Sequence, residues 1–170
     1  ELDRLRADEK RLEDLVSSLQ QALSDIPAQL GPGKPFDALR GQLRPPARGR
    51  LAARYGAPRR DGRLRWQGVL IRAERGSDVE AVYRGRVAFA DWLAGFGLVV
   101  ILEHCDGYLS LYGHNESLYK DVGQWVNAGE VIASVGSSGG RREPALYFEI
   151  RRGRDTLDPM KWVRLASASR

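Results

Sequence analysis

Two histidines and one cysteine, His104, His114 and Cys105, are the only imidazoles and the only thiol in the 170-residue chain, and beyond carboxylates they are its main candidates for metal ligation. A lone cysteine excludes a disulfide within the chain and a Cys-rich structural zinc site. A catalytic metal would have to be held by the two histidines and carboxylates. His104 and Cys105 are residue types that can form a nucleophilic dyad. As neighbours on a strand, however, they point to opposite faces. The spacing therefore predicts a structural or surface role for His104 and makes Cys105 a small buried apolar group. The glycine-rich stretch GSSGGRREP (136–144) lacks the Gly-Lys-Ser/Thr ending and the following helix of a phosphate cradle, and it reads as a connecting loop.

The elements that must position these residues fall into three parts. Over residues 1–26, Leu5, Leu12, Leu19 and Ile26 recur every seven positions, with Leu15 and Ala22 in the complementary slot. That spacing predicts either the end of a longer coiled coil or a helix laying one stripe on the domain, with Pro27 ending it. Residues 27–44 are rich in Pro and Gly around a short helix candidate, Phe36–Leu43. From 45 to 165 the pattern turns to short β-type runs: Val79–Tyr83, Arg86–Leu93, Leu98–Cys105, Tyr108–Tyr112, Glu130–Val135 and Ala145–Arg151. Asp106-Gly107 is placed to close a tight hairpin. The expected fold is mainly β, an antiparallel sheet arranged as a sandwich or barrel-sandwich hybrid behind an N-terminal helix.

The chain carries 27 Lys+Arg against 22 Asp+Glu, a net charge of +5, unevenly distributed. Residues 44–86 hold twelve basic and four acidic groups, whereas 87–140 hold one and six. No helix-turn-helix, finger or aromatic-basic RNA motif accompanies the arginines, so nucleic acid is not an expected partner. No apolar run is long enough to span a bilayer as a helix. The chain opens in a helical pattern and reads as a piece of a longer protein, so the lack of a signal peptide carries no information about compartment.

The segment VGQWVNAGEVIASVG (122–136) has the glycine spacing of lipoyl and biotinyl carriers, but neither Lys120 nor Lys161 sits where a carrier needs its attachment lysine. With its flanks it belongs to a different pattern. GRLAARYG, RWQGVLI, AVYRGRVAFADWLAGFGLVVILEH, LYGHNESL, the valine-glycine segment and PALYFEIRR follow one another over roughly residues 45–162. In that order they resemble a LytM or lysostaphin-type peptidase domain. Gln67-Gly68, DWLAGFGLVV, SLYGHN, VGSSGG and LYFEIRR further resemble the EnvC-type murein hydrolase activators, degenerate members of that family.

Active members are zinc endopeptidases, and the resemblance places metal ligands at Trp66, Leu70 and Tyr147 and a catalytic histidine at Ala145. Leucine and alanine have no donor atom, an indole nitrogen has no free lone pair, and tyrosine could ligate only as phenolate. The resemblance thus implies a non-catalytic domain without metal or other cofactor, its former cleft turned into an apolar and aromatic groove. Groove contacts are expected from Gln67, Leu70, Phe96, Val99, Tyr112, Tyr147 and Arg151. Trp66 would shape the floor, and His114 and Asn115 would bond at the rim. The implied partner is a periplasmic N-acetylmuramoyl-L-alanine amidase at the Gram-negative division septum, with a cell-division ABC transporter acting through the upstream coiled coil. Asp14–Ile26 and Phe36–Leu43 are the candidates for a segment that restrains the groove. Simple binding of peptidoglycan, with the arginines of 44–65 holding anionic glycan, is the alternative.

Overall fold

The computed structural model describes residues 2–23, 34–59 and 64–164. Helix α1 (Leu2–Leu23) is followed by a 3-10 turn at Phe36–Leu39 and twelve short strands. These are β1 (Arg50–Ala53), β2 (Pro58–Arg59), β3 (Leu64–Arg65), β4 (Val69–Arg72), β5 (Asp78–Glu80), β6 (Gly85–Leu93), β7 (Gly97–Glu103), β8 (Tyr108–Leu118), β9 (Trp125–Val126), β10 (Val131–Val135), β11 (Ala145–Arg152) and β12 (Asp155–Leu157). Strands β2 and β3 pair by themselves. The other ten form one antiparallel sheet whose main path runs β1-β4-β11-β8-β7-β6-β9, with β10 bridging β5 and β8 and β12 added to β11. The expected hairpin closes at Asp106 and Gly107, both with positive φ, 60° and 81°. Among the described residues no helix is long and apolar enough to cross a membrane.

Side-chain alternation gives the sheet two apolar faces. Val69, Ile71, Val100, Leu102, Tyr112, Leu146, Phe148 and Ile150 turn inward to the main core. Leu70, Val99, Ile101, Leu109, Leu111, Ala145 and Tyr147, interleaved with them on the same strands, gather in a second cluster on the opposite face. An uncovered apolar sheet face of that size would be unfavourable in water. Leu12 and Val16 of α1 are part of the second cluster, with Leu15 and Leu19 packed against it.

The short helical candidate at Phe36 belongs elsewhere. Phe36 is fully buried in the main core, its ring 4.5 Å from that of His104, 4.8 Å from Tyr108 and 5.2 Å from Trp162. Leu43 forms a parallel bridge with Val163. Phe36 and Leu43 are therefore committed to the core and are not available to restrain the groove, contrary to the expectation for Phe36–Leu43. Ile26 and Pro27 lie outside the described residues.

His104 heads a buried hydrogen-bond chain whose direction can be assigned. The Arg84 carbonyl can only accept, so Nδ1–H donates to it at 2.8 Å. Nε2 then accepts from the Ser110 hydroxyl at 2.8 Å, Ser110 accepts from the Tyr112 hydroxyl at 2.9 Å, and Tyr112 accepts from the Val82 N–H at 3.1 Å. Burial disfavours the imidazolium and lowers the His104 pKa to about 4, against the opposing pull of the Arg84 carbonyl. His114 is likewise lowered to about 4, chiefly by burial.

A pH dependence of stability follows from these two groups. The unfolded histidines take up protons near pH 6.5, the folded ones only near 4, so the stabilisation is complete above 6.5 and is lost as pH falls toward 4. Each contributes a slope of about 1.4 kcal/mol per pH unit in that window. The raised carboxyls of Glu9 and Glu103, both caused first by burial, offset part of it. The urea midpoint should fall steeply between pH 6.5 and 4.5, and less steeply in a His104→Gln variant. An unchanged slope in that variant would contradict the assignment.

Candidate functional site

The groove is built on the outer face of β4, β11, β8 and β7. Tyr147 stands directly across from Leu70 on one side and from Gly113 on the other. Its ring centroid lies 6.2 Å from Trp66, 5.5 Å from Phe96 and 6.2 Å from His114. Ala145 and Val99 belong to the same cluster. Trp66, Leu70, Ala145, Tyr147, Phe96, Val99 and His114, widely separated in sequence, thus come together. Gly68 is what lets β4 and β11 approach here, since a Cβ at that position would overlap the Phe148 carbonyl and the Glu149 side chain.

Three expected contacts are placed differently. Tyr112 lies on the main-core face of β8, where its hydroxyl serves the His104 chain, because alternation sends it away from Leu111. Asn115 is fully buried, its Nδ2 donating to the carbonyls of Leu98 and Tyr112, so it fixes the β7–β8 pair and is not at the rim. Gln67 is half-buried at the margin, where its Oε1 accepts from the Thr156 hydroxyl at 2.9 Å. His114 is buried with φ 62° and donates from Nδ1 to the Ser138 carbonyl at 2.7 Å, tying the glycine-rich loop to the groove wall. Leu93, Ile101, Leu109 and Leu111 complete the floor. Their signal was the alternation itself, extended along β6, β7 and β8.

A charged cluster crosses one end of the floor. Arg151 donates from Nε to Glu149 Oε1 at 2.6 Å and from Nη1 to Glu13 Oε1, on α1, at 2.9 Å. The Tyr147 hydroxyl donates to the other Glu149 oxygen. Burial works against the Arg151 charge, but Glu149 and Glu13 outweigh it and hold the guanidinium above its usual pKa. Burial and the Glu149 charge keep Tyr147 a neutral phenol, its pKa well above 10. Arg59 lies 4.0 Å from the centroid of Trp66 and 4.0 Å from Glu9 of α1. Gln20 adds a hydrogen bond to the Gly153 carbonyl at 2.6 Å. Gly95 provides clearance for α1, because a Cβ there would collide with Asp8.

These residues do not fit a zinc ion. Leu70 and Ala145 have no donor, the indole of Trp66 has no lone pair, and the Tyr147 hydroxyl is a neutral donor engaged with Glu149. Among the described residues no three His, Cys, Asp or Glu side chains converge where they could hold a metal.

Residues 64–159 match the profile of peptidase family M23. The chain belongs to that family. Among solved structures, that of a putative M23 peptidase from Pseudomonas aeruginosa superposes on 96% of this chain and 63% of its own, with a TM-score of 0.69 at 20% identity, a likeness of fold. Among curated relatives, the murein hydrolase activator EnvC of Escherichia coli is 51% identical over 126 residues, 74% of this chain and 30% of its own length. The murein hydrolase activator NlpD of Salmonella dublin is 33% identical over 119 residues, 69% of this chain and 30% of its own. This M23 chain therefore spans about a third of the length of either relative.

Proposed function

We propose that this chain is a non-catalytic activator of peptidoglycan hydrolysis, which binds an N-acetylmuramoyl-L-alanine amidase in the groove and switches it on during cell division. The observation that carries the reading is the floor itself. Where the peptidase pattern needs metal ligands there is an apolar, aromatic surface, and an amphipathic helix lies on it. Grooves of this kind recognise helices by their apolar face. Preferential binding of the active form of an amidase is all that switching it on requires. Two relatives named murein hydrolase activators support the same reading. Helix α1 is then the restraining segment, and the groove becomes available when α1 leaves it. The setting is the Gram-negative periplasm at the septum, with a division ABC transporter acting on α1 through the coiled coil upstream.

Dye release from labelled sacculi tests this. The chain alone should release nothing, a cognate amidase alone little, and the two together much more. Release by the chain alone, or no gain on mixing, would refute it.

A further inference from the structure

The contacts that hold α1 are of two kinds. Leu12 and Val16 fill the apolar floor, and apolar side chains at that spacing would be accepted from almost any amphipathic helix. The polar contacts are more selective. The Arg151 side chain is only 3% exposed, and that of Glu149 is 1% exposed. Glu149 is occupied on both oxygens, by Tyr147 and by Arg151 Nε. The Nη1 arm of Arg151 reaches across to the covering helix, where Glu13 receives it. One helical turn earlier Glu9 faces Arg59, which itself lies on the Trp66 ring. Glu9 and Glu13 are four residues apart, as are Leu12 and Val16, so all four share one face.

We infer that the groove selects its partner by this pattern: the bound segment is an amphipathic helix with carboxylates at i and i+4 set against Arg59 and Arg151 and apolar side chains at i+3 and i+7, and α1 is its intramolecular copy. The inference rests on reading the groove as the partner-binding site. The physical reason is desolvation. Arginine stays charged at every accessible pH, and a helix that covered Nη1 without supplying an acceptor would leave a buried donor unsatisfied. A cation in that place would add like-charge repulsion, which rejects wrong partners more strongly than the apolar floor can. The pattern also fixes direction and register, because a reversed helix that kept both carboxylates on the arginines would carry its apolar pair toward the other end, away from the places that Leu12 and Val16 take beside Leu70, Phe96 and Tyr147.

The test uses the full chain with Leu12→Asp and Val16→Asp, which loosen α1 without altering the sheet, and a labelled synthetic peptide of residues 2–23 followed by fluorescence anisotropy. The parent peptide should bind saturably, and peptides with Glu13→Lys or Glu9→Lys at least tenfold more weakly. Replacing Arg59 by Glu, at the margin of the groove, should restore binding of the Glu9→Lys peptide. Arg151→Met, checked for folding, should abolish discrimination between Glu13 and Glu13→Gln peptides. Equal binding of parent and both lysine peptides would overturn the pattern, as would failure of the parent peptide to bind. Selective binding together with no amidase stimulation in the dye-release assay would leave the pattern standing and remove the proposed function.

Discussion

Replacing Leu12 by Asp is expected to raise amidase stimulation by the full chain about tenfold or more. Leu12 is 2% exposed and packs with Val16 on the groove floor. Removing its buried apolar surface costs about 2 kcal/mol of docking free energy, and seating a carboxylate against the apolar floor costs more. A loss of about 3 kcal/mol shifts the balance between docked and undocked α1 by about two powers of ten. The polar contacts that remain, Glu13 with Arg151, Glu9 with Arg59 and Gln20 with Gly153, do not replace the lost burial, and Val16, Leu15 and Leu19 keep only part of the apolar seat. The β domain should be untouched, since Phe36 and Leu43 anchor the chain after the helix to the main core. Stimulation is measured by dye release at several chain concentrations. A response equal to that of the parent would mean that α1 does not limit access to the groove.

Tyr147→Lys is expected to abolish stimulation, and Leu70→Lys to reduce it to near the level of the amidase alone. Both side chains leave the sheet on the groove side, while their strand neighbours Phe148, Val69 and Ile71 carry the main core. Lysine at either place puts an ammonium in the middle of the apolar floor. At 147 it also removes the hydroxyl that donates to Glu149 and crowds Arg151 with a like charge. The variants should keep the far-ultraviolet spectrum of the parent, because the hydrogen-bonded ladder and inward face are unchanged. A folded Tyr147→Lys chain that stimulated as well as the parent would show that the partner binds elsewhere.

Much of this site was legible in the sequence because the motifs that carry it sit on strands, where period-two alternation assigns faces. Leu70, Phe96, Val99 and Tyr147 could be placed on one surface from pattern and resemblance together. Tyr112 could not, because the register of β8 relative to β11 decides which face it takes, and the hydrogen-bond chain through Ser110 and His104 is a tertiary fact. Asn115 has the look of a rim donor until its carbonyl partners are known. The heptad reading of α1 found Leu5, Leu12 and Leu19 but passed over Val16, one of its most deeply buried residues. A helix resting on a twisted sheet contacts it through a stripe with period nearer 3.6 than 3.5, which brings 12 and 16 together. Phe36 reads as a linker residue in a Pro- and Gly-rich stretch, and only the aromatic pocket made by His104, Tyr108 and Trp162 makes it part of the core. Arg151 was predicted as a groove contact, but its pairing with both Glu149 and Glu13 depended on how α1 crosses the sheet.

The most direct test of the account combines the two substitutions in one chain. If α1 limits stimulation by covering the groove, the gain from Leu12→Asp must pass through the groove floor. Dye release by the amidase with the Leu12→Asp, Tyr147→Lys chain should then fall to that of the amidase alone. A double variant that retained the enhanced stimulation of Leu12→Asp would contradict the claim that the covered groove is where this chain acts.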